Sequence, residues 1–500
     1  MSGQGKYGHW FRILMVVIPL VVVVVLPIAL RKGNDARPSE DVLRLDIVTP
    51  HNESIQREFS EAFNRYYQEK TGREVYINWL MPGGTSEIRR VLDTKFKTAE
   101  KNGREGVGID LFFGGGPYDF TQQAKDGRFA KLRLFETQPE LFSGEVPIIP
   151  QSLGGEPYYS EGHDWIGACL SSFGIMYNRD GIARLGVPEP KSWADLTDPR
   201  YFGTLALADP TKSGSVAKIF EMMIQEAIQE QIALGMTEEA AVRQGWYEGV
   251  NRIRMIAANG RYFADSSGKV PRDVTSGNAV AGMCIDYYGR TFEDTVRGED
   301  GESRVRFVVP VGGTSVSVDP VAVLRGAPHG ELAQDFVEFL ISTEGQQLWA
   351  YVKGSEGGPR YRNLRRLPVR RDFYTPENEE RMVDGNVKPY ELAQSFQYEG
   401  RWTGKYFTPL RVLVRVMCIN LHEELKTAWL AQKGNEKGVQ ETGSSALFEL
   451  GPENDWPSAS YDAVGEFIRP TLKSEDAVEK VRMQRELEQF FREEYKRASR

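Results

Sequence analysis

Short apolar runs alternate with segments of helical periodicity along the first part of the chain. Residues 43–48 alternate and then turn apolar, and residues 43–48, 74–80 and 107–113 are all predicted strands. Each precedes a predicted helix, and the first two of these helices place apolar residues on one face. Loops that contain Gly or Ser, such as Gly83–Ser86 and Gly114–Pro117, join strand to helix. This repeated order predicts an α/β domain whose ligand binds beyond the carboxyl ends of the strands.

Residues 192–216 carry the most informative local pattern. Leu205–Ala208 is an apolar run of strand length, and Ser213-Gly214-Ser215 then opens a segment with apolar residues at helical spacing. Ser213 or Ser215 is expected to cap this helix. The same turn leaves backbone N–H groups unpaired at the positive end of the helix dipole, where an anion binds favourably. Capping alone and anion binding are both compatible with the local sequence.

Further apolar strands follow in the middle of the chain. Residues 165–177 form one strand-like stretch, which is typical of a crossing between two lobes. Residues 279–289 predict a buried strand that ends on Asp286, Tyr287 and Tyr288, and residues 319–324 predict a strand that returns to the first lobe.

The C-terminal part is predicted to be mainly helical. Residues 409–429 and 475–496 each place apolar residues on one helical face. Residues 364–371 hold four Arg in eight positions. We interpret this run as a solvated loop, with a polar rim or a partner surface as the alternatives.

Residues 13–30 contain no charge and would span about 27 Å as a helix, close to the thickness of a bilayer core. A cleaved signal peptide and a retained anchor are the two interpretations. No small-residue cleavage site follows the apolar run, which favours the anchor. The sequence therefore predicts a tail at 1–12, a single transmembrane segment at 13–30 and a linker at 31–42. The remainder is expected outside the cytoplasmic membrane, in the periplasm.

Composition excludes several classes of function. The 500 residues carry a net charge of −8, which argues against a nucleic-acid partner. The three Cys are far apart and form no CxxC pair, so a zinc site is not indicated and small buried thiols are expected. No nucleophile elbow, P-loop or HExxH motif is present, so we expect a protein that is not an enzyme.

The order of these motifs resembles that of extracellular solute-binding proteins of ABC importers, specifically the ferric-iron type within the type 2 periplasmic-binding fold. The resemblance covers about residues 43–375, and its most specific part is Trp193–Ser215. The matching segments are Val48–Asn52, Tyr177-Asn178, Gly186–Pro188, Ser192–Pro199, Ala208–Gly214, Gly277–Gly282 leading into Asp286–Tyr288, and Gly326–Gln346.

The resemblance implies two α/β lobes joined by a hinge, with the ligand clamped between them. The first lobe is expected to comprise residues 43–160 and 310–375, and the second lobe residues 161–309. A mainly helical extension, residues 376–500, is expected to pack on the first lobe. The implied function is the delivery of a small ligand to an ABC permease by a monomeric binding protein.

The resemblance also suggests site residues. Tyr287 and Tyr288 match the tyrosine pair that holds the metal in ferric members, and Ser213–Ser215 match the position of the accompanying anion. The family's carboxylate is replaced by Gly114–Pro117, and His51 lies at a shifted offset. Further ligand contacts are expected from Gly84, Thr85 and Asp286.

Two kinds of ligand therefore stay open. One is Fe³⁺ with an accompanying anion, bound as cargo through hard oxygen donors. The other is a small phosphorylated or carboxylated anion at the helix starts, oriented by Tyr288, Asp286 or His51. An alternative function is a membrane-tethered sensor or scaffold that reports the ligand state to a partner protein.

Overall fold

The computed structural model describes residues 42–433 and 459–499. Its strands are β1 Leu43–Val48, β2 Val75–Leu80, β3 Leu111–Phe113, β4 Ser152–Leu153, β5 Glu156–Pro157, β6 Ile166–Ser171, β7 Phe173–Asn178, β8 Leu205–Ala208, β9 Gly260–Ala264, β10 Ala281–Ile285, β11 Val305–Val308, β12 Ser317–Val323 and β13 Leu367–Pro368.

The longer helices are α1 Glu53–Thr71, α2 Thr85–Lys101, α3 Pro117–Lys125, α4 Arg179–Leu185, α5 Gly214–Ala233, α6 Glu238–Ala258, α7 Lys269–Thr275, α8 Asp286–Thr295, α9 Gly330–Ile341, α10 Thr343–Ala350, α11 Phe407–Val414, α12 His422–Lys433 and α13 Ala477–Ala498. Shorter helical segments are Leu134–Thr137, Pro376–Arg381, Pro389–Leu392, Gly400–Thr403, Arg415–Asn420, Tyr461–Ala463, Val464–Ile468 and Arg469–Lys473.

The first lobe is built on a six-stranded sheet in the order β13-β6-β12-β3-β1-β2. Strand β1 runs parallel to β2 and β3, and β12 is antiparallel to β3 and β6. Leu111, Phe112 and Phe113 are fully buried, as expected for a central strand covered on both faces. The carboxyl ends of β1, β2 and β3 therefore lie at one edge of the sheet, and helices α1, α2 and α3 begin there.

The second lobe is built on a five-stranded sheet in the order β11-β7-β10-β8-β9. Helices α5 and α6 pack closely against one another beside it. A Cβ atom at Gly245 would lie 2.4 Å from the Cα of Ile228, and one at Gly249 would lie 2.6 Å from the Cα of Ile224. Only glycine allows these two helix backbones to approach so closely.

The apolar stretch 165–177 forms two strands rather than one. Strand β6 pairs in the first sheet, β7 pairs in the second, and Ser172 lies between them. The stretch is therefore a crossing between lobes, but residues 161–171 belong with the first lobe and not with the second. The return crossing lies between β11 and β12.

The C-terminal extension packs mainly on the second lobe, so the expectation that it would pack on the first lobe holds only for its start, where Met382 and Ala393 lie in the core of the first lobe. Trp429 donates a hydrogen bond of 2.9 Å to Asn259, and Trp246 donates one of 3.0 Å to the Ala459 carbonyl. Buried residues of 407–429 and 464–495 share a single core with the second lobe. Helical periodicity shows that one face is buried, but it does not show which surface covers that face.

The structure also bears on the predicted positions of the tyrosine pair and of the transmembrane segment. Tyr287 and Tyr288 lie in the first turn of helix α8 rather than at a strand end, because β10 stops at Ile285. The predicted transmembrane segment, residues 13–30, lies outside the described residues. Within 42–433 and 459–499, no helix is both long and apolar enough to cross a membrane. Cys169, Cys284 and Cys418 are buried and form no disulfide.

Candidate functional site

A cleft of about 1070 Å³ lies between the two sheets. The residues at the start of four long helices line it: His51 and Asn52 before α1, Gly84 and Thr85 at α2, Gly115–Pro117 at α3, and Ser213–Ser215 at α5. The first three helices come from the first lobe and α5 from the second. The Asn52 side chain caps α1 by accepting from the N–H groups of Ser54 and Ile55, whereas α2 and α3 have no side-chain cap. The positive dipole ends of the four helices and the N–H groups left free make the cleft favourable for an anion.

The start of α5 combines a cap with an open turn. The Ser213 hydroxyl accepts a hydrogen bond of 3.3 Å from the N–H of Val216. Gly214 and Ser215 are the first two helical residues, so their N–H groups have no acceptor within the helix. Capping and anion binding are therefore compatible in one geometry, because they use different N–H groups.

The starts of α2 and α5 face each other across the cleft. A Cβ atom at Gly84 would lie 2.8 Å from the carbonyl oxygen of Lys212, and one at Gly214 would lie 3.7 Å from the Thr85 hydroxyl. Gly115, with φ of 127°, approaches the Thr85 methyl group so closely that a Cβ atom there would lie 2.7 Å away. The two lobes therefore touch at this point, and small residues make that contact possible.

His51 is buried against the glycine loop that follows β3. Its side chain lies on Gly114, where a Cβ atom would lie 2.5 Å from the ring. Nε2 lies 3.3 Å from the carboxylate of Asp319, while Nδ1 has no hydrogen-bond partner among the described residues. Burial lowers the pKa of His51, and Asp319 only partly opposes this. His51 is therefore expected to be neutral at pH 7 and to be held by a protein carboxylate.

Arg366 is a residue of the cleft that the sequence interpretation missed. It is only 5% exposed, and its guanidinium donates hydrogen bonds to Asp319 at 2.5 Å and to the Ser171 hydroxyl at 2.7 Å. The interpretation of 364–371 as a solvated loop is wrong for this position. The apolar residues Leu364, Leu367 and Val369 around it are buried, and this apolar content is the sequence feature that indicates a buried segment.

Asp286 lies at the crossing between the lobes and does not line the cleft. Its carboxylate accepts hydrogen bonds from the N–H of Ser172 at 2.9 Å and from the Ser172 hydroxyl at 3.1 Å. A third bond comes from the N–H of Tyr287, and Arg366 lies 3.6 Å away. Burial raises the pKa of Asp286, although the neighbouring arginines and N–H groups oppose the rise. The prediction that Asp286 orients a ligand is therefore not supported, since its oxygens are already engaged.

The tyrosine pair lies on the cleft, but Tyr287 already has a partner. Its hydroxyl accepts a hydrogen bond of 2.7 Å from the Asn52 side chain of the first lobe. The rings of Tyr287 and Tyr288 lie 5.1 Å apart, and burial raises the pKa of Tyr288. A raised pKa disfavours the phenolate form that binds a ferric ion. Among residues 42–433 and 459–499, no group of three His, Cys, Asp or Glu is arranged to hold a metal.

Basic side chains exceed acidic ones along the cleft, although the whole chain is acidic. Seven Lys or Arg and five Asp or Glu line it. Lys218 is neutralised by Glu156 at 2.8 Å and Glu221 at 3.0 Å; the two carboxylates are buried and Lys218 is partly buried. Five of the basic side chains have no carboxylate within 4.0 Å in the part of the chain that the structure describes: Lys125, Lys212, Lys405, Arg469 and Lys473.

Comparisons with known proteins agree with this architecture. The chain is 27% identical over 290 residues to an uncharacterized protein of Haemophilus influenzae, covering 58% of this chain and 70% of the relative. It is 25% identical over 221 residues to the phosphoglycerate transport regulatory protein PgtC of Salmonella typhimurium. That match spans 44% of this chain and less than half, 46%, of the relative.

A solved structure with the same fold is the periplasmic binding protein AfuA from Actinobacillus pleuropneumoniae, with fructose 6-phosphate bound. It covers 75% of this chain and 99% of its own, with a TM-score of 0.51 and 17% identity. This likeness confirms the predicted α/β fold with two sheets and supports nothing finer.

A family model described as a bacterial extracellular solute-binding protein matches residues 110–360, half of the chain. Members of this family bind substrates and are not enzymes, as the sequence predicts. The chain therefore belongs to the bacterial extracellular solute-binding proteins of ABC-type transport.

Proposed function

We propose that the protein binds a small phosphorylated or carboxylated organic anion between its lobes and delivers it to an ABC permease. The observation that carries this proposal is the convergence of four helix N-termini on a cleft lined by basic side chains that have no carboxylate partner among the described residues. Backbone N–H groups and ammonium groups recognise phosphate and carboxylate oxygens. The name of the Salmonella relative, a phosphoglycerate transport regulatory protein, agrees with this class of ligand.

A ferric ion is the second candidate ligand, and the Tyr287–Tyr288 pair is the observation that favours it. Three features weigh against it. The Tyr287 hydroxyl is bonded to Asn52, burial raises the pKa of Tyr288, and the imidazole of His51, which lines the cleft, is held by Asp319. We therefore expect that purified protein loaded with ferric citrate shows no tyrosinate-to-iron absorbance.

Binding is tested by thermal shift and calorimetry with inorganic phosphate, fructose 6-phosphate, 3-phosphoglycerate and ferric citrate. A ligand present at 100 times its Kd stabilises the folded protein by about 2.7 kcal/mol, which raises the melting temperature by several degrees. We expect a phosphorylated compound to give this shift. If the tyrosinate-to-iron absorbance appears in the wild type and is lost in Tyr287→Phe, the ligand is a ferric ion and not an organic anion.

A matched pair of variants tests whether the helix starts hold the anion. Gly214 has φ in the ordinary region and only van der Waals contacts at its Cβ position, so it accepts a side chain. Gly214→Glu adds a carboxylate at the start of α5, and Gly214→Gln adds a neutral group of the same size. We expect Gly214→Glu to weaken phosphate-compound binding at least tenfold relative to Gly214→Gln. Equal affinities would overturn the assignment of α5 to anion binding.

The alternative function is that of a sensor, which binds the ligand and reports its presence to a partner protein instead of delivering it to a permease. Its supporting observations are the large extension after residue 375 and the word regulatory in the name of the Salmonella relatives. Uptake of a labelled ligand is measured in cells that express the permease constitutively, with and without this protein. Loss of uptake without the protein supports delivery, whereas unchanged uptake supports sensing.

Membrane attachment through residues 13–30 is part of the same proposal and rests on the sequence. Intact-mass measurement of the protein isolated from its host tests it. A mass that includes residues 13–30 supports a retained anchor, and loss of about the first 30 residues, the length of a signal peptide, would exclude one.

A further inference from the structure

The C-terminal extension reaches the ligand cleft as well as covering the second lobe. Residues of Tyr398–Phe407 and of Arg469–Lys473 line the same cavity as the helix starts. The two α/β lobes therefore supply only part of the wall of this cavity.

The first of these segments is held rigidly against both lobes. The Gln225 side chain of α5 donates to the Glu399 carbonyl at 2.8 Å and accepts from the Glu399 N–H at 3.0 Å. The N–H of Tyr398 donates to the Gly154 carbonyl of the first lobe at 2.7 Å. These bonds fix the start of the segment, and Gln225 also donates to the Thr403 hydroxyl at 2.7 Å, two residues before Lys405.

Helix α11 continues the contact across the mouth of the cleft. Thr408 and Tyr118 share a hydrogen bond of 3.0 Å, and the Phe407 and Tyr118 rings lie 4.5 Å apart. Arg411 is buried and donates to the Pro210 carbonyl of the second lobe at 2.7 Å and to the Ser86 hydroxyl of the first. The extension thus touches the starts of α2, α3 and α5, which are the elements that form the anion-favourable part of the cleft.

The charge of this wall is positive. Lys405, Arg469 and Lys473 line the cavity, and none has a carboxylate within 4.0 Å among residues 42–433 and 459–499. The Lys405 ammonium lies 4.9 Å from the centre of the Tyr406 ring and 5.2 Å from that of Tyr461. Aromatic faces hold an ammonium without neutralising it. Among the acidic side chains of the cavity, Asp265 alone has no ion-pair partner in the described residues, and it follows β9 in the second lobe.

The cavity is also larger than one phosphate group requires. At about 1070 Å³ it is slightly larger than the range of about 300–1,000 Å³ for pockets that enclose whole organic ligands. One anionic group at the helix starts would leave the basic wall of the extension without a partner.

We propose that Lys405, Arg469 and Lys473 bind a second anionic group of the ligand, and that the protein is selective for molecules with two separate anionic groups. This inference rests on the proposed binding of an organic anion and names its class: a phosphorylated carboxylate or a bisphosphate. The extension is then a third wall of the binding site.

The test compares three proteins by calorimetry at fixed ionic strength. The first is the wild type. The second is the triple variant Lys405→Gln, Arg469→Gln and Lys473→Gln. The third is a charge-matched control, Arg482→Gln, Arg485→Gln and Lys496→Gln, whose positions are exposed on α13 and outside the cavity.

The probes differ by one anionic group. Inorganic phosphate and fructose 6-phosphate carry a single phosphate, phosphoglycolate adds a carboxylate, and fructose 1,6-bisphosphate adds a second phosphate. We expect the wild type to bind at least one of the latter two at least tenfold more tightly than either monophosphate. The triple variant should lose at least tenfold in affinity for that probe and less than threefold for inorganic phosphate. The control should change by less than threefold with every probe.

Three results would overturn the inference. The first is that the wild type and the triple variant bind every doubly anionic probe with equal affinity. That result would refute the role of the basic wall and would not contradict the proposed binding of an organic anion. Binding of no probe by the wild type would refute the proposed function as well. A charge-conserving variant, Lys405→Arg with Arg469→Lys and Lys473→Arg, should retain wild-type selectivity, and failure to do so in a folded protein would show that charge is not the cause.

Discussion

Asp319→Asn should strongly destabilise the folded protein, because Asp319 joins Arg366, Ser171 and His51 at the bottom of the cleft. Asp319 is 4% exposed and holds three side chains together: Arg366 at 2.5 Å, Ser171 at 3.2 Å and His51 at 3.3 Å. The amide keeps the shape of the side chain but removes its negative charge. Arg366 would then be a buried cation whose remaining carboxylate partner in the described part of the chain is Asp286, at 3.6 Å.

The magnitude follows from the cost of leaving a buried charge unpaired. Removing one partner of a buried ion pair costs about 3–5 kcal/mol of folding stability. Because Asp286 still attracts Arg366, we expect a loss near the lower value, about 3 kcal/mol. For a domain of this class that loss lowers the melting temperature by about 2–4 °C per kcal/mol, so a decrease of about 6–12 °C is expected. Asp265→Asn is the control, since this carboxylate is exposed in the same cleft and its loss should change stability by less than about 0.5 kcal/mol.

The stabilisation by Asp319 should depend on pH, and its direction follows from the pKa of this carboxyl group. Burial by itself raises the pKa of Asp319, but Arg366 and His51 outweigh it and lower the pKa in the folded state. The stabilisation from this carboxylate is therefore complete above about pH 4, the ordinary value for Asp, and is lost as the pH falls through the lowered folded value. The stability difference between wild type and Asp319→Asn should be largest at pH 7 and should shrink below about pH 4.

Thermal unfolding followed by circular dichroism measures these differences, with Asp319→Asn/Arg366→Met as a third variant. Replacing the whole pair by neutral groups should restore part of the lost stability, because the buried cation that lost its main partner is removed as well, although Asp286 then loses its contact with Arg366. A decrease no larger than that of Asp265→Asn, or a double variant less stable than Asp319→Asn, would refute the reasoning.

Three further predictions concern contacts between parts of the chain. Gly84→Ala should hold the lobes apart and weaken ligand binding, because its Cβ would lie 2.8 Å from the Lys212 carbonyl oxygen. Calorimetry measures the loss of affinity. The control Gly330→Ala, which has open space at its Cβ position, should bind the ligand as the wild type does. Tyr287→Phe should cost about 1 kcal/mol of stability in thermal unfolding by removing its hydrogen bond to Asn52, and an unchanged melting temperature would contradict that contact. Trp429→Ala should cost about 3–5 kcal/mol and unfold the extension together with the second lobe, since they share one core; two separate transitions in calorimetry would contradict this.

The packing of the extension explains why its removal is a poor test of its role. Buried residues of the second lobe, such as Trp246 and Ile253, lie in one core with Leu421 and Trp429 of the extension. Deletion would expose this apolar surface to water and destabilise the lobe itself. Substitutions at the surface of the extension separate its part in binding from its part in folding.

The sequence by itself determined the local elements and the family. Strand β8 and the start of α5 follow from an apolar run, a turn and a Ser that caps the helix, all of which act over a few residues. The repeated strand–loop–helix order fixes the edge of the sheet where helices α1, α2 and α3 begin. Local backbone periodicity and capping produce these features, so they are visible before any tertiary contact is known.

Only the tertiary structure decided which groups share a surface. Arg366 is buried because Asp319 and Ser171, far away in the sequence, meet it at the floor of the cleft. Asp286 is engaged at the crossing because Ser172 lies beside it, and the extension covers the second lobe because its apolar face meets α5 and α6 there. Each of these outcomes depends on charge pairing or apolar burial between distant segments, and a local pattern shows that a group needs a partner without showing which partner it finds.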